Sequence, residues 1–392
     1  MNKLSTRLPV LTAIAILVIA LAGCNDNKFD DSYFPLVKKD LKVIKSESQS
    51  FMVDTLLTGL SNPYSMAFLP DHTVLITQRE GKIIMIREGK MLPEPVGGDV
   101  PKGLRDIVLD PEYKSNGWIY LSYYIEPVKP DGGYTVLMRA KLKGDKLTDS
   151  KVLYKAGPFP DRGGWYGSKI AFDRNGYLFF GVGQRGEDPD AQNISKYSGK
   201  IMRLNKDGSI PADNPFRDTT GALPEMYTYG HRQIQGLIAH PVTGELWEHE
   251  HGEKGGDELN IIKPGNYGWP LVTFSTYYDE DKAHPDKTIS KDTAREGMVS
   301  PVHHWTPSIA PLAMAFITGN NYPGWKGDLF LGSGVQRMLN HSVMRNGRVV
   351  HDEKLLKDIG RVRDVKYGPD HFLYIMTEDT GLLLRLLPAN NQ

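Results

Sequence analysis

Two arginines one residue apart, Arg361 and Arg363, have an evident chemical use. At strand spacing alternate side chains share a face, so both guanidinium groups would point to one side. A guanidinium is always charged and carries fixed donor pairs, so the two could meet an anion; two solvated strand-end arginines are the alternative. A second group lies between Tyr229 and Pro270, where Arg232 and Gln233 are followed by His249-Glu250-His251, Gly252, Glu253, Asp257, Glu258 and Tyr267. Read from the residues alone, Asp257 and Glu258 would cap neighbouring backbone amides in a turn. His249 and His251 would share a strand face and look at first like a transition-metal pair, but no zinc motif accompanies them. His303 and His304 would either line a ligand mouth or form a satisfied surface pair. No phosphate-cradling glycine loop or nucleophile elbow is evident.

Residues this far apart can meet only where loops from different units converge, and the chain carries a repeat that would bring them together. Six copies of strand, polar turn and strand begin at Ser65, Arg105, Lys169, Gly236, Ala313 and Arg363. Their spacing of about forty to seventy-five residues leaves room for a four-stranded sheet and its loops, and no helical periodicity is sustained. The expected fold is all-β, a six-bladed β-propeller of four-stranded antiparallel blades. A β-sandwich would leave the repetition unexplained. The polar segment from Phe274 to Val302 departs from the repeat and reads as a long loop over one face of the disc.

Lys3 and Arg7 precede an apolar run from Leu8 to Ala22 that ends in Leu21-Ala22-Gly23-Cys24. That run is too short for a membrane-spanning helix and reads as an export signal over 1–23. Small residues followed by Cys resemble a bacterial lipobox, with Cys24 lipidated in a periplasm-facing envelope protein whose only membrane contact is its lipid. Cys24 is the single cysteine, so no disulfide framework supports the exported domain. Residues 24–50, rich in Asp, Asn, Lys and Ser, read as a solvated tether and 51–392 as the propeller. Acidic and basic residues balance at 47 each, which removes the electrostatic case for nucleic acid and favours a small or neutral ligand.

Tyr229-Gly230-His231-Arg232, Gln235-Gly236-Leu237, Glu248-His249-Glu250-His251-Gly252, Gly256-Asp257-Glu258-Leu259-Asn260 and Gly265-Asn266-Tyr267-Gly268-Trp269-Pro270 together resemble the glucose/sorbosone dehydrogenase family, the soluble aldose sugar dehydrogenases. The resemblance extends from about Gly59 to Leu386 and implies a propeller that binds pyrroloquinoline quinone (PQQ) and Ca²⁺ and oxidises the C1 hydroxyl of aldoses. It places Arg232, with Gln233 beside it, near the quinone, and Arg361 and Arg363 at its carboxylates and reactive carbonyl. It places one calcium at Gly252 and Glu253, where the family usually has Pro at the second position, and another at Asp257, Glu258 and the Tyr267 carbonyl.

The resemblance breaks at the catalytic positions. The family's general base is a His before an aromatic residue and Gly, and this chain has Trp165-Tyr166-Gly167. Indole nitrogen donates only, so Trp165 cannot accept a substrate proton. The Asp that orients that His belongs to a Gly-Asp-Arg-Gly segment, which reads Gly183-Gln184-Arg185-Gly186 here. Three cofactor-contacting positions change as well, to Pro101, Gln233 and Val335 beside Gln336. The expectation is a sugar dehydrogenase-like lipoprotein with a weakened or absent catalytic step; the alternative is an inactive propeller serving as a carbohydrate-binding or envelope interaction module.

Overall fold

Six antiparallel sheets account for nearly all regular structure in the computed structural model, which describes residues 33–36, 40–128, 132–159, 166–185, 187–279, 282–283 and 287–389. Their first strands are Pro63–Phe68, Leu104–Leu109, Gly167–Phe172, Gln233–Ala239, Pro311–Phe316 and Val362–Tyr367. These strands contact one another in a closed ring and form the inner edges of six blades, so each expected repeat is the inner strand pair of one blade. Three blades depart from the expected four strands by gaining a short fifth one. Two of these additions, Gly97–Gly98 and Gly265–Asn266, pair in parallel, since each belongs to a connection running alongside the outer edge. Helix is confined, among the described residues, to Tyr113–Asn116 and two short 3₁₀ turns.

Ring closure is made by pairing the two ends of the domain. Ser50–Leu57 pairs antiparallel with Leu383–Pro388 and completes the last blade, and Val43–Lys45 adds outside it. This corrects the expectation of a free tether through residue 50. Tyr33 and Phe34 are also buried: the Tyr33 hydroxyl donates to the Leu69 carbonyl at 2.9 Å, and Arg385 donates to the Phe34 carbonyl at 2.7 Å. The low-hydropathy stretch therefore contains two aromatic residues that dock on the disc. The signal segment and Cys24 lie outside the described residues.

Apolar clusters fill the wedges between successive sheets, and close packing there demands glycine at two repeated positions. A Cβ on Gly181 would lie 2.8 Å from Ile234 of the next inner strand, and one on Gly332 would lie 2.7 Å from Val362 Cγ1. Each glycine thus lets the following blade approach. Overpacking at such a site costs about 1–3 kcal/mol, so Gly332→Ala should lower the thermal midpoint by several degrees. Differential scanning calorimetry checks this, and an unchanged midpoint would mean that the blades tolerate the extra methyl by sliding apart.

Candidate active site

The six inner strands run along the axis, so equivalent residues form rings around it. Tyr64, Arg105, Gln235, Leu312 and Arg363 hold equivalent places in their strands and line one mouth of the channel. The next residues inward, Asp106, Lys169, Gly236, Ala313 and Asp364, line a separate cavity of about 280 Å³ towards the other mouth. Asp106 accepts from Ser65 Oγ at 2.7 Å and from the Ile170 amide at 3.0 Å, joining three blades. Asp364 accepts from the Met66 amide at 2.8 Å across the closure between the last blade and the first. Lys169 Nζ lies 3.7 Å from Asp106; burial would depress its ammonium, but Asp106 and then Tyr64 and Asp364 hold it above its usual value.

The first mouth is a pocket of about 400 Å³, within the range of small-ligand sites. Among the described residues five guanidinium groups line it (Arg79, Arg105, Arg232, Arg361 and Arg363), with the carboxylates of Glu253 and Asp257 in the same lining and Glu378 beside Arg363. Glu378 binds three of the five: Arg79 at 2.6 Å, Arg363 at 2.5 Å and Arg361 at 3.4 Å. Burial opposes its ionisation, but Arg363 and then Arg79 override that, leaving the carboxyl below its usual range. Four cationic heads, of Arg79, Arg105, Arg363 and Lys169, lie 5.0–5.4 Å from the centre of the Tyr64 ring. Arg105 also sits 4.2 Å over Tyr124 and has no carboxylate within ion-pair distance among the described residues, so aromatic faces carry much of its stabilisation.

Arg232 enters from the fourth blade. Its backbone amide donates to Glu250 at 2.5 Å, and its guanidinium donates to the carbonyls of His251 at 3.1 Å and Gly252 at 2.7 Å and pairs with Glu253. Gln233 and Val335 line the same pocket, with Val335 exposed on the rim. Gln336 instead donates to the Ser308 carbonyl at 3.0 Å, and Pro101 is not among the lining residues. Tyr166 and Gly167 reach the pocket, while Trp165 lies outside the described residues. Gln184 is buried, and its backbone amide donates to the Arg232 carbonyl at 2.6 Å. His303 pairs with Asp352 at 3.4 Å, and His304 stacks on Phe274; neither lines the mouth.

The grouping of Asp257 with Glu258 and Tyr267 does not survive the fold. Adjacent residues in Asp257–Ile262 face opposite sides of the sheet. The Asp257 carboxylate turns to the axial pocket and clamps loops, accepting from the Gly252 amide at 3.1 Å and from Ser308 Oγ and the Ile309 and Ala310 amides at 2.6–2.9 Å. Glu258 faces the other way, sharing with Glu250 and Tyr267 a cavity of about 10 Å³, roughly the space of one water molecule. Glu248 joins this buried group, with one ligand atom each from Glu248, Glu250 and His231 lying within 4.8 Å of one another. Burial, and then the charge of Glu250, push the Glu248 and Glu258 carboxyls well above their usual range. Glu248 Oε1 and Asn260 Oδ1, both buried, have no hydrogen-bond partner. Asn260 Nδ2 donates to Glu248 Oε2 at 3.1 Å and to Glu258 Oε2 at 3.5 Å, so the group holds more acceptors than donors, and a proton or a cation would satisfy the remainder.

Fold and pocket define a six-bladed propeller with a cationic ligand site on its axis. The family model for Glucose / Sorbosone dehydrogenase matches residues 60–385, and the chain belongs to that family. It is 38% identical over 352 residues to the aldose sugar dehydrogenase YliI of Escherichia coli (strain K12), covering 86% of this chain and 93% of that one. The apo crystal structure of the soluble aldose sugar dehydrogenase from Escherichia coli superposes with a TM-score of 0.79 at 34% identity, over 86% of this chain and 99% of the other. The PQQ-bound aldose sugar dehydrogenase from Streptomyces coelicolor superposes with a TM-score of 0.66 at 25% identity, over 91% and 100%.

Because Glu378 titrates below its unfolded counterpart, its stabilisation is present above the ordinary carboxylate range and is lost as pH falls through the folded value. Glu378→Gln should therefore cost about 2 kcal/mol near neutral pH, with the gap to wild type closing in acid. Urea melts at pH 7 and pH 3.5 test this, and a gap independent of pH would contradict it.

Proposed function

We propose that the axial pocket holds PQQ and that the protein oxidises the C1 hydroxyl of aldoses slowly, as a calcium-dependent, lipid-anchored protein facing the periplasm. The observation that carries this reading is the gathering of five guanidinium groups, against two carboxylates among the described lining residues, around one pocket of ligand size. A tricarboxylate needs such fixed, always-charged donors, and Arg79, Arg105, Arg361 and Arg363 would hold it, with Arg232 and Gln233 opposite. The quinone, when bound, supplies the acceptor for two electrons and the substrate hydrogen. The protein's part is to orient that group, neutralise its charge and exclude water. The names of the sugar dehydrogenase relatives support a small sugar as the substrate.

Two oxygen-rich places suit calcium. One is the Gly252 carbonyl with Glu253 at the pocket wall, and the other is the small cavity at Glu250, Glu258 and Tyr267, where a divalent ion would offset the burial that pushes the Glu258 carboxyl well above its usual range. Asp257 is committed to its loop clamp and is left out of both. For the anchor, the Leu21-Ala22-Gly23-Cys24 sequence is the supporting feature.

Trp165 and Gln184 stand where the family pattern has its base and the residue that orients it. The loss of general-base assistance is commonly worth about 10²–10⁴ in rate, so the turnover expected of this chain is low. Trp165→His alone should restore little, because an unoriented imidazole lacks a fixed tautomer. Trp165→His with Gln184→Asp should restore more than the two single changes together. Dye reduction by protein loaded with PQQ and Ca²⁺, over a panel of aldoses, measures this. Fast turnover by the wild type would show that another group takes the proton. Sugar binding with no turnover in either protein would favour the carbohydrate-binding alternative, with Trp165 as a stacking surface.

A further inference from the structure

Three oxygens converge on the Arg232 guanidinium: the carbonyls of His251 and Gly252 and the carboxylate of Glu253. Their direction is set by the loop. The Gly252 amide is tied back to Asp257 at 3.1 Å and the Glu253 amide to Ser275 Oγ at 3.1 Å, so the carbonyls of the preceding residues face the pocket. Ser275 Oγ in turn donates to the Gly255 carbonyl at 2.8 Å, which closes the turn. Two peptide carbonyls and one carboxylate, all held from behind, form an oxygen cage of the kind that hard cations enter, and the cation in it is the protein's own arginine.

We propose that Arg232 and a calcium ion compete for this one cage, so that calcium enters only when an anionic ligand draws the guanidinium away. The inference rests on the calcium and quinone reading above and adds to it an order of dependence. Both cations need the same acceptors, and a guanidinium and a divalent ion cannot share them at contact distance without strong repulsion. An anion seated in the pocket offers Arg232 a replacement partner, and Glu253 then passes from the arginine to the ion. Linkage makes the effect reciprocal: the ligand tightens calcium, and calcium tightens the ligand. Glu253, standing where the family usually has Pro, is what makes the arginine-closed state favourable, because it supplies the charge that holds the guanidinium.

The test is calorimetric titration of Ca²⁺ into the full chain with and without PQQ. In wild type, PQQ should raise the calcium affinity of one site by about tenfold or more, within the usual span of coupling between two ligands. Arg232→Ala should show that higher affinity without PQQ, and Glu253→Gln placed on Arg232→Ala should lower it again. Arg232→Gln serves as the second variant, with circular dichroism and the thermal midpoint reporting folding. Calcium binding that depends on Glu253 but is indifferent to Arg232 and to PQQ overturns the competition while leaving the calcium reading intact. Absence of any Glu253-dependent calcium site in wild type and Arg232→Ala alike overturns both.

Discussion

Six edge strands facing one axis impose the constraint on which the rest of this molecule depends. Within a blade the backbone is paired strand to strand, but among the described residues no ladder joins the inner strand of one blade to that of the next, and the amides at the inner edges need other partners. Carboxylates from neighbouring blades meet that need: Asp106 reaches Ile170, Asp364 reaches Met66, and Asp257 reaches Ile309 and Ala310. The axis is therefore polar by necessity, and its buried acids require buried cations. Lys169 balances Asp106 and Asp364 at the next ring inward, and the arginines of the mouth stand directly beyond them.

This arrangement explains how so much positive charge can gather in one pocket without unfolding it. Glu378 ties Arg79, Arg361 and Arg363 together, Tyr64 spreads its π face among four cations, and Glu253 holds Arg232. Neutralisation is nevertheless incomplete, with Arg105 resting on aromatic rings. A site in this state gains from an anion, since the desolvation of its guanidinium groups is already part of the folded structure. Binding strength and rigidity thus come from the same interactions that close the ring.

Much of the architecture was legible because the inner strand pair of every blade meets similar packing, so its sequence repeats visibly. The outer strands face solvent or variable loops, and the fifth strands left no trace. The Arg-Asp dipeptide occurs in two repeats, at Arg105-Asp106 and at Arg363-Asp364, and both pairs contribute to the same two rings. Arg363 was read as a ligand residue whereas Arg105 was passed over, although the register alone made them equivalent. Arg79 and Glu378 were invisible because each lies past a second strand, where only the closed ring brings it to the axis. Asp257 and Glu258 were grouped as neighbours in sequence, and strand alternation separates them. Glu248 has no role legible in its motif, because its significance comes from the fold bringing it to Glu250 and His231 in the buried interior.

The central claim is that the axial arginines form a site for a tricarboxylate quinone, and equilibrium binding tests it most directly. PQQ titrated into the calcium-loaded protein, followed by its absorbance and by quenching of tryptophan fluorescence, should bind with one-to-one stoichiometry. Arg363→Ala combined with Arg105→Ala should weaken that binding by at least a hundredfold, about 2.7 kcal/mol, while the protein stays folded. Wild-type binding that is absent, or that is unaffected by loss of both arginines, would contradict the account.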